Sequence, residues 1–188
     1  MPTVSEQEPP TARSPAPSGE SHLPPPARRS VWTRRERLIR LVWTTLGRLV
    51  WVLVPAWRAW LIRRFGGRVG RGCVLPRDIE ITIPWNVDMG DRVRLAPGCI
   101  LYGLGMIRIG DDTVMDRKVH ICAGSHDMTD STFPLTRPPI TIGSRCFFGF
   151  DAYVGPGVTI GDGVRVYPRA SVYRDAACGA VLAGNPAR

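Results

Sequence analysis

The 188-residue chain has a single lysine, Lys118, only three histidines, and no Cys-x-x-Cys pair. Its five cysteines are Cys73, Cys99, Cys122, Cys146 and Cys178. An odd, scattered set argues against a disulfide framework and against a cysteine-based zinc site. They read as reduced thiols of a cytoplasmic protein. Long apolar runs are also missing. A membrane-spanning helix needs about 20 apolar residues. In the most apolar segment the longest uncharged run is Leu49 to Trp57. No basic stretch followed by an apolar run opens the chain, so no signal peptide is expected. The positive charge, +9 net, is nearly all arginine, and much of it clusters at Arg28, Arg29, Arg34, Arg35, Arg37 and Arg40. Basic and aromatic residues do not alternate as a base-stacking surface would require, so nucleic acid is not an expected partner. Phosphorylated ligands and anionic membrane surfaces remain compatible with the charge.

Three regions follow one another. Residues 1–30 are rich in Pro, Ser and Glu, with too few large apolar side chains to offset ordering entropy, and are expected to be a disordered Pro-rich tail. Residues 31–66 are rich in Trp, Leu and Val with interspersed arginines, and Pro55 interrupts any single helix there. This pattern predicts an amphipathic helical segment. Its apolar faces either pack on the end or side of the main domain or dock peripherally on the inner membrane surface, and the two are compatible. Residues 67–188 form the main domain, with coils expected from about Val69 to Ala176.

The main domain shows a period of six. Ile142, Phe148, Val154, Ile160, Val166 and Val172 are six apart at every step. The same spacing holds in Ile109, Met115, Ile121, in Met89, Leu95, Leu101 and in Val69, Leu75, Ile81, with two-residue slips at 81–89 and 101–109. Four residues after each apolar site stands a small or apolar one, such as Thr113, Val119, Val158, Val164 or Ala170. Neither a helix nor an ordinary strand gives this period, whereas a solenoid does. Each unit makes one short strand and a corner, and Gly, Asp and Asn suit the corner conformations. Three units close a triangular coil, so Ile142 should stand under Ile160 and Phe148 under Val166. The helical segment precedes the first coil, where it could cover the open end. Cys73, Cys99 and Cys146 fall on the fourth-position sites and read as structural.

One interruption is large. After His126 the phase is lost until Ile142, and residues 127–139 must leave the solenoid as a loop. Loops on rigid scaffolds commonly carry function. His126 sits at the root of this loop.

The chain here resembles the hexapeptide-repeat acyltransferases, and within them the colanic-acid and exopolysaccharide O-acetyltransferase branch. The resembling segments run in order over residues 57–188: Trp57 to Leu61 with Arg64 to Gly67, Pro84-Trp85-Asn86, Leu101-Tyr102 with Ile107 to Asp111, Gly124-Ser125-His126-Asp127, Phe133-Pro134-Leu135, Val154 to Gly161, and Ala183 to Arg188. The resemblance implies a left-handed parallel β-helix and a homotrimer with sites between neighbouring solenoids. It implies acetyl-CoA as donor, a hydroxyl of a sugar or glycan intermediate as acceptor, and no metal. His126 would be the general base. Asp127 would orient the imidazole or cap the loop. Phe147, Gly149, Gly155, Arg174, Asn185 and Arg188 would meet CoA, the arginines through its phosphates unless they are simply solvated. Trp85, Asn86 and Tyr102 would face the acceptor.

Two departures stand out. Galactoside and maltose acetyltransferases carry acceptor-binding Asn and Asp upstream of their histidine, where simple counting finds Ala96 and Leu104. Near Arg174 the usual small and threonine residues give way to Pro168, Arg169 and Tyr173. Two rival readings keep the fold: a γ-type carbonic anhydrase, which needs three histidines around zinc, and a scaffold without catalysis.

Overall fold

The computed structural model describes residues 32–188. The expected disordered tail lies outside the described residues. From Arg68 onward the chain winds into a parallel β-helix with three faces of five strands each. The first face stacks Arg68–Val69, Val87–Met89, Ile107–Ile109, Ile140–Ile142 and Thr159–Ile160. The second stacks Arg94–Leu95, Val114–Met115, Phe147–Phe148, Arg165–Val166 and Val181–Leu182. The third stacks Glu80–Ile81, Ile100–Tyr102, His120–Cys122, Tyr153–Val154 and Ser171–Val172.

The sixfold apolar set fills the interior. Phe148, Val154, Ile121 and Leu101 are wholly buried, and Thr113, Val119, Val164 and Ala170 close the corners beside them. Ile142 pairs with Ile160 and Phe148 with Val166, as the spacing predicts. Cys99 and Cys146 are buried at the corner sites and Cys73 is half-buried. The coils run further than Ala176: Val181–Leu182 adds a last strand on the second face.

The irregularities all fall at one corner, between the third face and the first. In the first two coils Ile81 pairs with Leu101 and Met89 with Ile109, a spacing of 20 residues rather than 18. The extra residues sit at 82–86 and 103–106. The 127–139 excursion leaves from the same corner, so Ile109 pairs with Ile142. In the last coil Ile160 meets Ala176, a spacing of 16, because the corner after Val172 is two residues short. The other two corners keep their length throughout. The corner between the first and second faces carries Arg92, Asp112 and Arg145 in the left-handed region, at φ 55, 57 and 56. Arg92 forks onto Asp112 at 2.6 and 2.8 Å.

The helical segment covers the first coil. Arg34–Val42 and Arg48–Leu53 are α-helical and joined through a π-helical turn, Trp43–Gly47. A Thr33–Glu36 capping box starts the first helix. Pro55 breaks the run, and a further helix spans Arg58–Arg64. None of these helices is long and apolar enough to cross a membrane. Trp43, Trp51, Leu61 and Ile62 are buried against the coil. The first coil has no strand beneath it, so its carbonyls need other donors. The Trp43 indole donates to the Ile81 carbonyl at 2.8 Å and Trp51 to Arg77 at 3.1 Å. Arg48 donates to Ile79, Arg58 to Leu75 and Arg63 to Val69.

Replacing Arg58 by Met keeps the stem and deletes the donors to Leu75 and Trp51. Losing a charged donor to buried carbonyls should cost about 1.5–3 kcal/mol. Exposed Arg34→Met should stay within about 0.5 kcal/mol of wild type. Urea unfolding of both variants checks this; equal midpoints would remove the capping role.

Candidate functional site

Residues 127–139 leave the solenoid, and their first part is folded as a hairpin. Ser125–His126 and Leu135–Thr136 pair antiparallel, with His126 opposite Leu135. Two turns of the same design shape its tip. Asp127 accepts from the Thr129 amide at 2.9 Å and hydroxyl at 2.6 Å. Asp130 accepts from the Thr132 amide and hydroxyl, both at 2.8 Å. The Thr129 hydroxyl and amide hold the Asp127 carboxyl below the usual range. The Asp127 amide donates to Pro134 at 2.9 Å and the Phe133 amide to Asp130 at 2.9 Å, closing the tip.

These bonds hold Phe133 at φ 46, in the left-handed region that an aromatic residue seldom adopts. Its carbonyl oxygen lies 2.7 Å from His126 Nδ1. A carbonyl only accepts, so Nδ1 carries the hydrogen. In the neutral ring the Nε2 lone pair is then free on an exposed side chain. The hairpin is tied to the helical segment at its return: the guanidiniums of Arg40 and Arg137 lie 4.6 and 4.2 Å from the Trp32 ring centre.

The other histidine differs. His120 points outward from the third face, edge-on to Tyr153 at 5.4 Å. Burial lowers its pKa, opposed by Glu80, and Nε2 is enclosed with no protein partner among the described residues. Tyr153 lies 5.6 Å from Tyr173, and burial beside the Cys122 thiol raises the Tyr153 pKa.

The residues singled out from the sequence are divided among faces. His126, Gly155 and Arg174 share the variable corner, with Arg174 exposed in the last coil. Tyr102 pairs with Cys122 at the edge of the third face, beside that corner. Asn86 spends its amide on the Gly103 and Leu104 carbonyls at 2.9 and 3.0 Å, which shapes the second slip. Trp85 is half-buried, with its Cβ against Gly66. Leu104 is buried beneath Gly124, where a Cβ would lie 2.7 Å from it. Asn185 and Arg188 are exposed on the closing turn. The space beside Gly149 and Gly155 is filled by the next coil: an added Cβ would lie 2.6 Å from Pro168 and 2.8 Å from Tyr173. Phe147, 45% exposed, stands on the second face, the one opposite the His126 corner. Sequence reasoning missed the Phe133 carbonyl. Its signal was the repeated Asp-x-Thr at 127–129 and 130–132, which announces two side-chain-capped turns.

Triangular coils of six-residue sides, with a histidine hairpin at one corner, define a hexapeptide-repeat protein. Residues 139–167 match a family model described as the hexapeptide repeat of succinyl-transferase. WcaF of Escherichia coli K12, provisionally named a colanic acid biosynthesis acetyltransferase, is 41% identical over 131 residues, 70% of this chain and 72% of that protein. A maltose O-acetyltransferase from Clostridium difficile 630 superposes with a TM-score of 0.72 at 25% identity, over 83% of this chain and 87% of that one. The fold is also that of a hexapeptide-repeat acetyltransferase from Vibrio cholerae O1 biovar eltor, complexed with acetyl coenzyme A. That superposition has a TM-score of 0.76 at 21% identity, covering 83% and 87% of the two chains. The chain belongs to the hexapeptide-repeat acetyltransferase family.

The geometry predicts a tautomer preference that does not depend on any assay of activity. Imidazole nitrogen NMR of His126 should show the Nδ1-protonated form. Phe133→Gly, which tolerates positive φ, should keep it; Phe133→Val, which does not, should shift the ring toward a tautomer mixture. An unchanged spectrum in Phe133→Val would mean that the carbonyl does not fix the ring.

Proposed function

We propose that this acetyltransferase moves the acetyl group of acetyl-CoA to a hydroxyl of a sugar or polysaccharide-biosynthesis intermediate, with His126 Nε2 as general base. The observation that carries it is the Nδ1–H bond to the Phe133 carbonyl, which leaves Nε2 as the proton acceptor. Nε2 removes the acceptor's hydroxyl proton as the oxygen forms its bond to the thioester carbonyl carbon. A backbone N–H near the corner stabilises the oxyanion. The tetrahedral intermediate collapses, the C–S bond breaks, and the imidazolium returns its proton to the CoA sulfur. No step calls for a metal. The donor is supported by the acetyl-CoA complex of the Vibrio cholerae protein, and the acceptor class by the name of WcaF. Asp127 is assigned to the hairpin, since Thr129 engages its carboxylate. The carbonic anhydrase alternative would need His120 as a ligand, and that ring is packed against Tyr153.

Exposed Arg174 and Arg188 are available to CoA phosphates, and exposed Phe147 to stack on a ring of the cofactor. Phe147 lies on the face opposite the corner that carries His126 and Arg174. One acetyl-CoA meeting both sets therefore draws them from two chains. Three copies around a threefold axis repeat that contact with a single interface, and we infer a homotrimer with three shared sites. Reduced thiols are consistent with a cytoplasmic enzyme.

His126→Ala should lower kcat by about 10²–10⁴-fold while CoA binding and assembly persist. Turnover within about threefold of wild type would remove His126 as the base. Sedimentation at assay concentration should give a trimer; an active monomer would rule out the shared site.

A further inference from the structure

The helical segment has two apolar faces, and the β-helix uses one. Trp43, Trp51 and Leu61 are buried against the first coil. On the other side Leu38, Leu41, Leu49 and Leu53 are 62, 58, 55 and 67% exposed, with Trp57 and Trp60 about half exposed beside them. The two indoles lie 5.7 Å apart. Leu38 and exposed Leu46 line one open groove with Trp57 and Trp60, and an exposed apolar patch of this kind marks a contact.

Charge identifies the kind of partner. Residues 32–65 hold eight arginines and one glutamate, so +7 of the chain's +9 lies in this segment. Arg48, Arg58 and Arg63 are engaged with carbonyls of the first coil and Arg40 with Trp32. Arg34, Arg35, Arg37 and Arg64 are exposed. Arg34 and Arg37 flank Leu38 and Leu41, and Arg35 and Arg64 flank the groove of Trp57 and Trp60. None of the four makes an ion pair among the described residues. A second copy laid on this face would set arginines against arginines. A bilayer with anionic headgroups satisfies both features: leucines enter the acyl boundary, indoles sit at headgroup level, and arginines reach the phosphates.

We propose that the outer face of residues 34–64 docks the protein on an anionic lipid bilayer. The Trp32 contact with Arg137 joins this face to the His126 hairpin, so docking fixes the hairpin's position relative to the membrane. The proposal stands whether or not His126 is the base.

Full-length protein, without acetyl-CoA, is sedimented with vesicles of phosphatidylcholine with and without phosphatidylglycerol. Binding should require phosphatidylglycerol and weaken in high salt. Each of Arg34→Gln, Arg35→Gln and Arg37→Gln should lower partition by about fivefold. Leu49→Ser with Leu53→Ser should lower it by at least about tenfold. Brominated lipid should quench tryptophan emission of the wild-type protein, a readout that needs no variant. Equal pelleting with both vesicle types, absence of quenching, or folded variants that bind as wild type would overturn the proposal. So would conversion of the oligomer to monomer by the leucine changes, which would assign the face to a second copy.

Discussion

Everything in this molecule depends on the hydrogen-bond ladder between successive coils. Each strand of the three faces is two or three residues long and finds its partners only in the neighbouring coils. Removing or adding a residue on a face would throw every later side chain to the wrong side of the wall. Length can vary only where no ladder runs, and it does so at a single corner. That corner gains two residues twice, then the whole 127–139 hairpin, then loses two. The register of the remaining faces is untouched by any of these changes. His126 therefore stands on the one part of the solenoid whose shape is free, while its base is held by the part that is not.

The same ladder makes the ends costly. An internal coil has its carbonyls met by the next strand, but the first coil presents a bare row. Five side chains, Trp43, Arg48, Trp51, Arg58 and Arg63, supply the missing donors. This explains why a segment so rich in tryptophan and arginine precedes a β-helix. Indole and guanidinium combine apolar bulk, which closes the core, with N–H groups at the tip. The helices thereby act as a lid whose inner face is fixed by the coil and whose outer face is left to other contacts.

The architecture was legible because the period of six is strict. Ile142 over Ile160 and Phe148 over Val166 follow from counting alone. Pro55 likewise marked the break between helices. The corner positions were less legible. Arg92 and Arg145 adopt positive φ that composition would assign to Gly, Asp or Asn, and at Arg92 a salt bridge to Asp112 in the stack offsets part of that cost. The last strand was missed because the two-residue shortening after Val172 breaks the count. Gly149 and Gly155 look, in sequence, like openings for a ligand. In three dimensions their space is taken by Pro168 and Tyr173 of the next coil, which no single repeat reveals.

His126 shows why a residue's role is harder to read than its position. Asp127, the next residue in sequence, suggests either an acid behind the imidazole or a cap for the loop. The hairpin turns that carboxylate onto Thr129, the second of these, and brings a backbone carbonyl to Nδ1. Either orienter would set the same tautomer. The carbonyl does so without adding a formal charge beside the ring, and its position is set by backbone geometry rather than by a rotatable side chain. Its precision rests on Phe133 holding an unfavourable φ, and that conformation rests on the paired Asp-x-Thr turns. Two short polar turns, stacked on a rigid corner, thus provide the preorganisation that a lone histidine on a flat wall lacks.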